Sequence, residues 1–247
     1  MNLYSVTDVG RKRKINQDYV YVSDKPVGNL PNLFVVADGM GGHNAGDFAS
    51  SFAVRVVVES VEGDVDYNPI KVIRHAIETA NDELLRQAEK SSSMAGMGTT
   101  MVAATIVGSY AYVANVGDSR LYVMDSQLHQ VTKDHSLVQE MVRLGQMDPQ
   151  SAKNHPDKNI ITRAVGVSEK VKIDIFERQL RAGEYIILCS DGLTNMVEDS
   201  VILQILHGAG SLSDKAERLI ELANKNGGKD NITVIIIEPN SDEVAEC

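Results

Sequence analysis

Five aspartates stand at the boundaries of apolar runs. Asp18 opens DYVYV, Asp38 closes FVVAD, Asp118 follows YVANVG, Asp191 closes YIILCSD and Asp230 opens DNITVIII. Strand ends meet at one rim when strands stack into sheets, so these carboxylates are expected together. Gathered there, they repel one another and raise one another's pKa, and a cluster that stays ionised needs cations. An all-oxygen donor set selects hard divalent ions such as Mg²⁺, Mn²⁺ or Ca²⁺. There is no dense D-x-D-x-D-G loop of the EF-hand kind and no His/Cys cluster for zinc. Acids far apart in sequence and assembled by the fold suit a two-metal site, whose chemistry is most often hydrolysis at phosphorus. Taken singly, each aspartate also fits a turn cap.

The junction FVVADGMGGHNAGDFAS (34–50) carries three glycines beside Asp38. It is not a P-loop, since no Gly-Lys-Ser/Thr follows, and Gly39–Asn44 lacks the last glycine of G-x-G-x-x-G. A carboxylate at that position would repel a nucleotide phosphate and suits a cation better. Arg13, in RKRKINQD (11–18), has the fork geometry that grips phosphate oxygens. Spacing alone does not distinguish it from its neighbours Arg11, Lys12 and Lys14, which read equally well as a solvated basic run.

The elements that must position these residues are short strands and paired helices. Strand-like runs cover 19–22, 33–37, 99–107, 110–116, 120–124, 128–132, 172–176, 185–189 and 232–237. Gly108-Ser109 and Asp125-Ser126-Gln127 are expected hairpin turns. Helical periodicity covers 45–59, then a segment opened by Asn68 as N-cap and Pro69 as first helical residue, then 200–207 and 214–226. Strands and helices are segregated, which favours α+β over a doubly wound parallel sheet. At 247 residues the chain is long enough to bury a core without disulfides. The net charge of −10 argues against a nucleic-acid surface. With no apolar N-terminal run or membrane-length stretch, and with Cys189 and Cys247 expected as free thiols, the protein is expected in the cytoplasm.

The chain also resembles a known family, the metal-dependent Ser/Thr protein phosphatases (PPM or type 2C) in their compact bacterial form. The matching stretches run in order: GRKRKINQD (10–18), VVADGMGGHNAG (35–46), GTT (98–100), VANVGDSRLY (113–122), TKDHS (132–136), ITRAVG (161–166), LCSDGLTNMV (188–197) and GGKDNITVI (227–235). The resemblance implies a four-layer α-β-β-α sandwich, two antiparallel sheets flanked by pairs of antiparallel helices. It implies a single domain over 1–240, a flap at about 145–163 and a C-terminal tail, 241–247. It implies that Asp38 bridges two divalent metals, Mn²⁺ or Mg²⁺, with the Gly39 carbonyl on the first. Asp191 and Asp230 would hold the second, Asp18 would act through water, and Asp118 with Asp191 would serve a weaker third. Arg13 matches the phosphate-binding arginine. On this reading Gly39 lets its carbonyl turn inward, and Gly41 and Gly42 keep bulk away from an incoming phosphopeptide.

The implied activity is hydrolysis of phosphoserine and phosphothreonine by a hydroxide bridging the two metals, with no phosphoenzyme, so Cys189 belongs to the core. The implied partners are phosphorylated proteins and an opposing Ser/Thr kinase, with the enzyme itself a monomer. Met40 stands where animal relatives place a histidine proposed as general acid. His43 is the nearest substitute, ahead of His135 and His155, although a loop or cap role suits His43 as well. Competing readings are a catalytically dead binding module, a calcium-stabilised sandwich and a hydrolase of small phosphoesters.

Overall fold

Two-residue alternation along the strands sorts the apolar side chains into three buried layers. Phe34 and Val36 point to one side of their strand and join Val102, Val113, Leu121, Leu188, Ile235 and Ile237. Val35 and Ala37 point to the other and pack with Val57, Ile73, Ile77 and Leu84. Val234 and Ile236 alternate with Ile235 and Ile237, and meet Ile187, Leu219 and Ala223 in a third layer. Each fully buried Val, Leu, Ile or Phe in these layers contributes about 1.5–3 kcal/mol.

The structure, a computed structural model, describes residues 1–42, 45–153 and 155–239. In chain order the elements are β1 (Asn2–Asp8), β2 (Asp18–Ser23), β3 (Leu33–Met40), α1 (Ala45–Gly63), α2 (Pro69–Lys90), β4 (Gly98–Thr99), β5 (Met101–Val107), β6 (Tyr110–Val116), β7 (Arg120–Met124) and β8 (Leu128–Gln130). They continue with α3 (Leu137–Arg143), α4 (Pro149–Lys153), β9 (Asp174–Gln179), β10 (Tyr185–Cys189), α5 (Asp191–Thr194), α6 (Asp199–His207), α7 (Leu212–Lys225) and β11 (Ile232–Glu238). One sheet runs β1-β11-β10-β7-β8 and the other β2-β3-β5-β6-β9, with β4 added to β3. Neighbouring strands pair antiparallel throughout. Helices α1 and α2 cover the second sheet and α6 and α7 the first, giving the expected four layers.

Several expectations are met closely. Val107 pairs with Tyr110 across Gly108-Ser109, and Met124 with Leu128 across the Asp125 turn. Others need correction. The run 99–107 is broken at Thr100, whose N–H and hydroxyl both bond the Asp38 peptide instead of continuing the ladder. The strand expected at 172–176 lies at Asp174–Gln179, where it pairs with β6. β1 was not anticipated, because NLYSVTD alternates apolar and polar residues only loosely and none of its side chains is fully buried. The short helices α3 and α4 were not anticipated either. They lie in an excursion whose neck is closed where Ser136 bridges Ile161 and Leu137 N–H donates to the Ile160 carbonyl. Among the described residues no helix is long and apolar enough to cross a membrane.

Asn68 caps α2 as expected, its side-chain oxygen accepting from Lys71 N–H at 3.1 Å, with Pro69 as the first helical residue. Asn68→Ala should therefore lower unfolding free energy by about 1 kcal/mol in denaturant titration. No change would mean that Pro69 alone sets the helix start.

Candidate active site

The β2–β3 register sets Asp18 directly opposite Asp38 at one end of the second sheet. From the first sheet, Asp191 follows β10 and Asp230 precedes β11, and these two strands pair. Asp118 lies on the connection by which the chain passes from β6 in one sheet to β7 in the other. The five carboxylates thus meet at the seam between the sheets. Asp38 feels all four others: behind the effect of burial, repulsion from Asp18, Asp191, Asp118 and Asp230 raises its pKa well above the ordinary range.

Two hydroxyls join the sheets at this seam. Ser190 Oγ and Thr233 Oγ1, both from the first sheet's side, each donate to Asp18 Oδ2 at 2.7 Å. Burial still pushes the Asp18 carboxyl up to about 7, against those two bonds. Burial, then repulsion from Asp230, pushes Asp191 up to about 6. Asp118 is raised by burial and by Asp191. Asn195 Nδ2 donates to Asp191 Oδ2 at 2.8 Å. The second oxygens, Asp18 Oδ1 and Asp191 Oδ1, are buried and have no hydrogen-bond partner.

Arg13 is singled out from its basic neighbours by position. Its Nη2 donates to Asp230 Oδ2 at 2.7 Å, and its side chain remains half exposed. Asn231 fixes the loop that carries it: its Nδ2 donates to the carbonyls of Val9 and Ile15, and its Oδ1 accepts from Gln17 N–H. Gly39 is required for a reason other than the freedom of its carbonyl. A Cβ there would lie 1.9 Å from the Gly46 carbonyl oxygen and 2.8 Å from that of Gln17, so the first turn of α1 presses on the strand end. Gly42 meets nothing within 4 Å and borders open space.

A polar cavity of about 190 Å³ adjoins the Asp118 and Asp191 side, with Arg120, Lys158, Asn159 and Asn195 in its wall. Lys158 and Asn159 come from the excursion after α4, and so border the cluster. His43 lies outside the described residues, as do Cys247 and the tail 241–247. His155 sits in the excursion, bonded to Asp157 N–H. His135 is buried against Asp174 and against Gly117, the neighbour of Asp118 in the chain. Cys189 is a core residue whose thiol burial pushes up to about 12, which suits no nucleophile.

Sequence reasoning missed Ser190, Thr233, Asn231 and Asn195. Their signal was faint: a hydroxyl or amide at the tip of an otherwise apolar strand, or one helical turn beyond an aspartate. Each supports a carboxylate or the loop beside it.

The donor set can be tested against the metals the resemblance implies. Buried, unpartnered carboxylate oxygens surrounded by like charge call for a cation, and oxygen-only donors call for a hard one. Among the described residues no three acidic, His or Cys side chains close into a ready-made cage. Asp18, Asp38, Asp118, Asp191 and Asp230 would hold such an ion with help from water, as a hard ion such as Mg²⁺ is held by few carboxylates.

Comparison with known proteins agrees with this geometry. The family model for Protein phosphatase 2C matches residues 10–233. The serine/threonine phosphatase stp of Listeria monocytogenes is 44% identical over 94% of this chain and 93% of its own length. The crystal structure of the serine/threonine phosphatase Stp1 from Staphylococcus aureus has a TM-score of 0.89 and 36% identity, covering 96% of this chain and 94% of that one. A crystal structure of the catalytic domain of the serine threonine protein phosphatase PstP in complex with 2 manganese ions has a TM-score of 0.83 and 33% identity, covering 95% of this chain and 96% of that one. The chain belongs to the protein phosphatase 2C family. It is an enzyme of the serine/threonine protein phosphatase class.

The raised carboxylates make a pH prediction. Asp18 and Asp191 bind protons more tightly folded than unfolded. Without metal, the stability they contribute is complete below the ordinary carboxylate range and is lost as pH rises through about 6 and about 7. Divalent ions bind only the ionised forms, so the rise in Tm on adding Mn²⁺ to chelator-treated protein should be larger at about pH 7.5 than at about pH 5.5. Groups remote from the site titrate in both samples and cancel. A Tm increment independent of pH would show that these carboxylates do not take up the ion.

Proposed function

We propose that this protein hydrolyses phosphoserine and phosphothreonine in proteins with two, and at Asp118 a third, divalent ions. The observation that carries this is the meeting of five carboxylates from two sheets around buried unpartnered oxygens, with Arg13 at their edge. Asp38 would hold both principal ions, with the Gly39 carbonyl helping at the first. Asp191 and Asp230 would hold the second, Asp18 would act through water, and Asp118 with Asp191 would serve the weaker one. Mn²⁺ and Mg²⁺ both suit these donors, and the manganese in the PstP relative supports the choice. When bound, the ions supply Lewis acidity and a water acidified enough to attack phosphorus near neutral pH.

The chain's own residues account for the rest. A phosphomonoester dianion meeting five carboxylates and one guanidinium would be repelled, so the cluster must be neutralised before substrate can enter. Asp230 now occupies one arm of the Arg13 fork. Were Asp230 to serve as a metal ligand, the whole Arg13 fork would be available to take phosphoryl oxygens bidentately. Asn195 and the Ser190–Thr233 pair keep Asp191 and Asp18 aimed while this happens. Cys189 takes no part. His43 remains the candidate for protonating the leaving serine or threonine oxygen. The substrates are phosphoproteins, the opposing enzyme a Ser/Thr kinase, and the setting a cytoplasmic signalling pathway in which the phosphatase acts as a monomer. One domain spans 1–240, with a flap at about 145–163 and the tail 241–247 beyond it.

The decisive experiment is release of inorganic phosphate from a phosphothreonine peptide by chelator-treated protein, with Mn²⁺ restored. Turnover should return in the wild type and not in Asp191→Ala, and turnover independent of divalent ions would sink the reading. Asp38→Ala should lower kcat by about a hundredfold or more. Its Tm in chelator should be no lower than wild type, because a carboxyl whose ionisation is opposed by burial and by four acidic neighbours is removed. Arg13→Ala should raise KM more than it lowers kcat. The reverse pattern would assign Arg13 to the transition state alone.

A further inference from the structure

Residue 135 lies in TKDHS, a segment that the proposed chemistry leaves without a role. His135 is buried and joins three separate pieces of chain. Its backbone N–H donates to the Gly117 carbonyl at 3.0 Å, and its ring Nδ1 accepts from Gly117 N–H at 3.0 Å. Gly117, the residue just before Asp118, is thus held at both its N–H and its carbonyl by one residue, through the two peptide units that flank its Cα. Gly117 has φ +105°, a conformation open to glycine that a side chain would strain. Because Nδ1 accepts, the ring proton sits on Nε2, which faces Asp174 Oδ2 at 3.1 Å. Arg163 Nη1, 3.1 Å from Nε2, donates one of its two hydrogens to Asp174 Oδ1 at 2.7 Å, so the same carboxylate gathers both groups. Finally, the His135 carbonyl accepts from Thr162 N–H at 2.8 Å, at the neck of the excursion that carries α3 and α4.

The geometry points to His135 as a positioning residue that sets Asp118 through the Gly117 peptide and ties that setting to the neck of the excursion. It touches no reacting atom. This rests on the reading of Asp118 as a site residue.

Two amides separate the two ring contacts. His135→Asn keeps an oxygen where Nδ1 stood and can still accept from Gly117. His135→Gln carries its amide to the Nε2 position, where it can donate to Asp174, and leaves Gly117 N–H unpaired. Both would be measured in metal-free protein by amide hydrogen exchange and in Mn²⁺-loaded protein by steady-state kinetics, in wild-type and Asp118→Asn backgrounds. Loss of a buried hydrogen bond of this kind should cost His135→Gln about tenfold in kcat with KM within about twofold. Gly117 exchange should quicken while that of Ile187, deep in β10, does not. His135→Asn should stay within about threefold of wild type in kcat. In the Asp118→Asn background the His135→Gln change should cost less than about twofold, because both act on one group.

An equal loss in both backgrounds, or equal loss in His135→Asn and His135→Gln, would overturn the assignment and leave His135 as packing. If His135→Gln does not fold, His135→Asn decides: normal kcat with normal Gly117 exchange supports the clamp, and impaired kcat overturns it. If Asp118→Asn alone has wild-type kcat, Asp118 leaves the site and the role of His135 falls with it. The kinetics of that single variant therefore tell the two failures apart.

Discussion

The structure is organised around a repulsion. Asp18, Asp38, Asp118, Asp191 and Asp230 are held within Coulombic reach of one another, and burial and like charge oppose the ionisation of Asp18, Asp38, Asp118 and Asp191. A fold that did not need this arrangement would let the carboxylates separate into water. Here they are carried on strand ends whose direction is set by buried apolar layers, so they cannot separate without opening the core. The stored repulsion is what makes the basin receptive to cations.

The polar residues around the cluster share the work of keeping it aligned without quenching it. Ser190 and Thr233 satisfy one oxygen of Asp18 and leave the other bare. Asn195 does the same for Asp191. Asn231 pins the arginine-bearing loop to the strand that leads into β11. Each is a short side chain with few rotamers, which limits the entropy lost in holding a carboxylate still. Away from the basin, a second buried network joins Arg120 to Asp134 and Tyr122 beside the same cavity. There the charges are paired, and the Arg120 pKa is raised against the effect of burial chiefly by Asp134. The contrast is between a network whose charges are paired and a neighbouring cluster in which five carboxylates share one arginine.

The layers and the acids were legible in the sequence because both follow from short-range rules. Apolar runs as short and as rich in Ile, Val and Tyr as YIILC and ITVIII favour strand cores, and an aspartate at their tips then lies at a sheet end whatever the sheet order. The Asn68-Pro69 helix start and the Gly108-Ser109 hairpin were readable for the same reason, since their chemistry is complete within four residues. What failed was non-local. β1 has no periodic signal of its own and exists because β11 offers it an edge. Thr100 breaks a strand because of Asp38, sixty-two residues earlier. The helices after Ser136 were hidden in a polar stretch.

The sequence by itself determined that five carboxylates would sit at strand ends, and that oxygen donors of this kind call for hard divalent ions. It also carried eight ordered motifs of a phosphatase family. Only the tertiary structure decided that Arg13, and not Arg11, Lys12 or Lys14, reaches Asp230. It also decided that Gly39 is glycine because α1 crowds it, and that His135 faces Gly117 in place of a substrate. The physical reason is one of range. Burial and strand ends are properties of neighbours in the chain, whereas a hydrogen bond of 2.7 Å between residues more than two hundred positions apart depends on how every intervening layer packs.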